Sequence, residues 1–140
     1  MTTTPTSPFP RKVGLAGLDA YQVALAFYRE VRAATRGRRG HVVRQIERAA
    51  ESVVLNVAEA HPTTGRDRAR RFRIAANEAS ECGAALDLLE IRGELAATAL
   101  GSLRQLLDRA RAMLQNNEPD CTTAHGRGAH HAADPSLLRP

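Results

Sequence analysis

Residues 65–73 read GRDRARRFR, with arginine at positions 66, 68, 70, 71 and 73. A guanidinium presents a planar fork of donors that fits phosphate or carboxylate in a bidentate way. The chemistry suggested is capture of a polyanion. The cluster follows Pro62-Thr63-Thr64, where a helix is expected to start. A helix N-terminus carries partial positive charge, so each cation there costs from a few tenths to about 1 kcal/mol. Asp67 is the only acid close by. At 100° per residue, Arg70 and Arg73 fall within about 40° of Arg66, while the apolar stripe of this helix centres near about 220°. Arg66, Arg70 and Arg73 therefore form one stripe facing away from the core, with Arg68 and Arg71 on a flank. A cluster with a local cost invites a functional reading: phosphate, nucleic acid or an acidic protein surface. The plain alternative is a solvated face coloured by arginine-rich codons.

A second basic group is the run Arg36-Gly37-Arg38-Arg39-Gly40, continued by Arg44 and Arg48. Few aromatic residues are interleaved with either group, so nucleic acid would be held by its backbone, with weak sequence preference. The charge is lopsided along the chain. Residues 1–76 carry a formal +8 and residues 77–140 carry −3, within a total of +5. Nineteen of the 20 basic residues are arginine; Lys12 is the only lysine.

The 140 residues suffice for one domain with a modest core. Only 4% are aromatic, and alanine supplies much of the apolar content, which favours close-packed helices over sheets. No run approaches the length of a membrane span. The N-terminus lacks a signal-peptide core, so a cytoplasmic protein without membrane contact is expected. Cys82 and Cys121 read as free thiols of a reducing compartment.

Four amphipathic helices are expected. The first runs from Asp19 to Thr35, on a stripe of Tyr21, Ala24, Leu25, Tyr28 and Val31, and stops at the glycines of the basic loop. The second runs from His41 to Ala60, on Val42, Ile46, Ala49, Ala50, Val53 and Val57, and stops before Pro62. The third starts at Thr64, where Thr64-Gly65-Arg66-Asp67 has the form of a capping box, and runs to Ile91. The fourth spans Thr98–Gln115, on Leu100, Leu103, Leu107, Ala110 and Leu114. The simplest packing is all-α: an antiparallel up-down-up-down four-helix bundle over residues 18–115. Residues 1–17 read as a disordered leader and residues 116–140 as a disordered tail. In such a bundle the two basic groups lie at opposite ends.

The motifs resemble a known family. Leu18-Asp19-Ala20-Tyr21-Gln22 matches a Leu-x-x-Tyr/Trp-Gln pattern. The run from Gln45 to Ala60, QIERAAESVVLNVAEA, matches Gln-Ile-x-Arg-Ala-Ala-x-Ser-Ile-Pro-x-Asn-Ile-Ala-Glu-Gly. Phe72, Ile74, Ala75 and Glu81 match the third-helix motif, and Met113-Leu114 the last. The chain is similar to the bacterial four-helix-bundle proteins first noticed as reading frames inside intervening sequences of large-subunit ribosomal RNA genes. It departs at Val54, Ala60 and Gly83, where that pattern has proline, glycine and glutamate. The resemblance implies a four-helix bundle that forms a homo-oligomer, with a ring of five favoured. A related branch, the accessory variability determinant of diversity-generating retroelements, implies RNA and a reverse transcriptase as partners. It also marks Tyr21, Gln45, Asn56, Glu59 and Glu81 as structural or interface residues.

No nucleophile stands at a plausible spacing from a base, and there is no glycine-rich phosphate loop or paired-acid signature. No His/Cys set has zinc spacing in a helical context, and no Glu-x-x-His repeat of di-iron bundles is present. The expectation is a non-enzymatic oligomeric protein, without cofactor or metal, that binds RNA or DNA through arginines 36, 38, 39, 44, 48, 66, 68, 70, 71 and 73. The competing expectation is a protein-interaction adaptor whose charge serves only solubility.

Overall fold

The computed structural model describes residues 19–117. The expected leader, and the expected tail from residue 118 onward, lie outside the described residues. Four helices make up the fold: α1 Asp19–Ala34, α2 His41–Ala60, α3 Gly65–Ile91 and α4 Ala97–Asn116. Among the described residues there is no strand. Each helix packs on its neighbours in the order α1, α2, α3, α4 and back to α1, with the α2–α3 seam the most extensive. This is the antiparallel up-down-up-down bundle. α4 runs past the expected end at Gln115: Asn116 closes it and Asn117 caps it.

The core is one cluster drawn from all four helices. Phe27, Ile46, Phe72, Leu86, Leu89, Leu103 and Leu114 are fully buried within it. Small residues line the α2–α3 seam: Ala49, Ala50, Ala75 and Ala79 are fully buried, which lets the two backbones approach closely. Thr35, just past α1, is buried too. Its hydroxyl faces two acceptors, the Val31 carbonyl at 2.8 Å and Glu47 Oε1 at 2.6 Å. Arg32 reaches the same Glu47 oxygen at 3.1 Å, so one carboxylate pins the end of α1 to α2.

The helix ends follow local chemistry, with one correction. α3 stops in a Schellman turn: Gly93 adopts φ +63°, its N–H donates to the Glu90 carbonyl, and the Glu94 N–H donates to Leu89. The capping box expected at Thr64 does not form. Thr64 occupies the N-cap position but its side chain makes no cap bond. Gly65 opens the helix at φ +57°, away from the right-handed helical value, and the first-turn amides are not presented to the Thr64 hydroxyl. Asp67 is exposed and makes no bond back.

Candidate nucleic-acid interface

The first turn and a half of α3 buries nothing; its first buried residue is Phe72. Arg66, Arg70 and Arg73 are exposed there and form no ion pair with any described residue. The uncapped amides of the same turn add partial positive charge beside Arg66. The other two arginines of this run turn inward to α2. Arg68 Nη1 lies 3.5 Å from the Ala60 carbonyl at the end of α2, and its guanidinium sits 5.3 Å from the Phe72 ring centroid. Arg71 Nη1 meets Glu59 Oε2 at 2.5 Å and Asn56 Oδ1 at 3.5 Å.

The second group divides the same way. Arg36, Arg38, Arg39 and Arg44 are exposed and without ion pairs among the described residues. Arg48 is taken by α3, with Nη2 2.8 Å from Glu81 Oε1 and 3.5 Å from Glu78 Oε2. The hydrogen bond to Glu81, with the charges of Glu78 and Glu81, raises the Arg48 pKa further above its ordinary value. Seven of the ten arginines in the two groups are thus free to meet an anion, and three are spent on the α2–α3 seam.

The motif residues serve that seam as well. Gln45 Nε2 donates to Glu81 Oε1, the oxygen that Arg48 also holds. Asn56 is 9% exposed; its amide donates to the Ser52 carbonyl at 2.9 Å and lies 3.2 Å from Ser52 Oγ. Arg71 links Asn56 to Glu59. Tyr21 is half-buried against the core.

Other polar groups went unnoticed in the sequence. Arg104 on α4 bridges Asp87 at 2.9 Å and Glu90 at 2.5 Å. A groove of about 380 Å³ opens between α3 and α4, lined by Ser80, Gly83, Asp87, Arg104, Asp108 and Arg111 among others. Its two arginines and two aspartates balance, so it does not concentrate charge of either sign. The side chain of Glu78 has a buried oxygen, Oε2, that makes no hydrogen bond. Among the described residues no group of three or more His, Cys, Asp or Glu could hold a metal. Cys82 is a buried free thiol whose pKa burial pushes up to about 12, so it is not a poised nucleophile.

A sequence model of the 23S rRNA-intervening sequence proteins matches residues 17–116, most of the chain and all four helices. The chain belongs to that family. A crystal structure of a protein of unknown function from the S23 ribosomal protein family of Bacteroides thetaiotaomicron superposes with a TM-score of 0.64 at 20% identity. The match covers 69% of this chain and 95% of that one, and it establishes the fold alone. No curated protein matches the sequence. No helix among the described residues is long and apolar enough to cross a membrane.

Proposed function

We propose that this chain is a non-enzymatic, self-assembling bundle, with a pentamer favoured, that holds RNA or DNA by the phosphate backbone. One observation carries the reading. Within two arginine-rich groups, Arg48 and Arg71 are paired with carboxylates and Arg68 lies against the Ala60 carbonyl and the Phe72 ring, while seven guanidiniums stand exposed without a counter-charge among the described residues. The seven cluster on two short stretches of the chain, which concentrates their field. The family's name ties its members to intervening sequences of 23S rRNA, which makes RNA the first polyanion to test.

A second reading is a protein-interaction adaptor, with a reverse transcriptase or another protein as partner. The observation favouring it is apolar. Leu88 and Ile91 stand one turn apart on α3 at 46% and 82% exposure, and Leu55 on α2 is 54% exposed. Self-assembly would also cover such residues, and light scattering of the purified protein gives the subunit number.

The deciding experiment is fluorescence anisotropy with labelled single- and double-stranded RNA and DNA at rising salt. The native protein is compared with the triple variant Arg66→Glu, Arg70→Glu, Arg73→Glu. Binding that weakens steeply with salt through counterion release, and that weakens further in the variant, supports the nucleic-acid reading. Absence of binding at low salt by the folded native protein rejects it in favour of the adaptor.

A further inference from the structure

The seven free arginines fall into two groups that α2 holds apart. Arg36, Arg38, Arg39 and Arg44 lie before and within the first turn of α2, whereas Arg66, Arg70 and Arg73 follow its far end. The 20 residues of α2 put those ends about 30 Å apart. Charges in water are screened over about 8–10 Å at physiological salt, so the two groups act as separate sources of field. Even the nearest members are distant. The register fixed by Gln45–Glu81 and Asn56–Arg71 places Arg44 and Arg73 about 15 Å apart along the bundle axis.

The surface between the groups is not neutral ground for a polyanion. Arg48 faces both Glu78 and Glu81, and Glu51 is exposed without a partner among the described residues. This belt sets three carboxylates against one guanidinium. A strand running from one group to the other would cross the belt against repulsion. Each group instead offers three or four guanidiniums to phosphates at its own end.

The geometry points to a bivalent chain: each end takes the backbone of its own nucleic-acid segment, so that one chain tethers two segments. This rests on the phosphate-backbone reading above and adds the number and placement of sites. Two segments of one folded RNA would be captured more tightly than two separate molecules, because the second contact becomes intramolecular.

The test is a bead assay. A short biotinylated RNA duplex is immobilised, and an unrelated fluorescent RNA duplex is added with increasing amounts of the native protein. A parallel series uses DNA duplexes. Two variants are compared, each charge-reversed at one end only: Arg36, Arg38, Arg39 and Arg44→Glu, and Arg66, Arg70 and Arg73→Glu. Neutral versions with glutamine repeat the comparison, and circular dichroism checks helicity. The native protein should retain the fluorescent duplex, with retention rising and then falling once excess protein occupies every duplex singly. Each one-ended variant should still bind a duplex in anisotropy but retain clearly less of the second duplex than the native protein, any retention left coming from copies of the one remaining site in the assembly. Native protein that binds yet retains nothing overturns the inference and leaves the phosphate reading standing. A one-ended variant that retains as well as the native protein also overturns it, since tethering would then come from copies of a single site. Native protein that binds no nucleic acid in anisotropy overturns both.

Discussion

The Arg111 guanidinium occupies the space that a Cβ at Gly83 would need, and its Nη2 donates to the Ala79 carbonyl at 3.2 Å. Gly83 stands where the related motif has a glutamate. The side chain lost from α3 is thus replaced in space by one that arrives from α4, and Gly83 itself is buried beneath it.

Gly83→Ala should push that guanidinium outward, since its far end is flexible. The bond to Ala79 would be lost, while alanine gains about 1 kcal/mol of helix propensity over glycine. Urea unfolding should show a net change within about 1 kcal/mol. In an Arg111→Ala background the same substitution should stabilise, by up to about 1 kcal/mol. A loss of several kcal/mol in that background would mean that something other than the Arg111 side chain closes on Gly83.

Cys82 should be unreactive in the folded protein. Burial pushes its thiol up to about 12, whereas an unfolded cysteine titrates near 8.5. In a Cys121→Ser background, a thiol reagent at pH 8.5 should label Cys82 only on unfolding. The folded state holds the proton more tightly than the unfolded state. Stability from this source is therefore complete below about pH 8.5 and declines as pH rises toward 12. Rapid labelling under native conditions would contradict the burial.

Arg48→Met should lower the melting temperature near neutral pH, by leaving Glu78 and Glu81 without their shared cation. Arg48 is itself half exposed, so the effect belongs to the stranded carboxylates rather than to the pair in isolation. Added salt, which screens the stranded charges, should narrow the deficit. A deficit that salt leaves unchanged would assign the loss to packing of the arginine stem.

Asn56→Ala should destabilise the bundle by about 1–2 kcal/mol. It removes the bond to Ser52 and leaves Arg71 only Glu59. Nucleic-acid affinity should not change, because Asn56 is covered by the α2–α3 seam. Affinity lost in step with Asn56 would move that residue from the seam to the interface.

The salt dependence of binding carries its own number. Each neutralised phosphate contributes a slope of about −0.9 in log K against log salt for duplex DNA. Changing Arg66, Arg70 and Arg73 to glutamine should flatten binding at that end by up to about 3 units of slope. Changing Arg68 and Arg71 to glutamine should leave the slope unaltered and lower stability instead.

Much of the bundle is legible in the chain. α2 runs from His41 to Ala60 as its stripe requires, because Gly40 and Pro62 bracket a clean apolar period. α4 gains one residue at each end, Ala97 and Asn116, a shift of the size that fraying and cap geometry produce at helix ends. The Thr64 cap does not follow from spacing alone, because a capping box needs a backbone angle as well, and Gly65 supplies a different angle. The outward stripe of Arg66, Arg70 and Arg73 follows from helical arithmetic alone. The capture of Arg48, Arg68 and Arg71 does not, since it depends on how α2 and α3 slide past one another. Asn56 falls off the apolar stripe of its own helix yet is covered, because α3 lies over that face. Arg104 and Arg111 escaped notice for the same reason: their partners are on another helix.

The opening turn and a half of α3 contributes no side chain to the interior. Residues 66 and 70 could therefore drift without penalty to folding, and position 73, one residue past Phe72, is equally exposed. Any pressure that kept arginine at these three positions would have to act from outside the molecule. A lineage with no polyanion to bind would be expected to scatter them first, while Arg48 and Arg71 stayed in place.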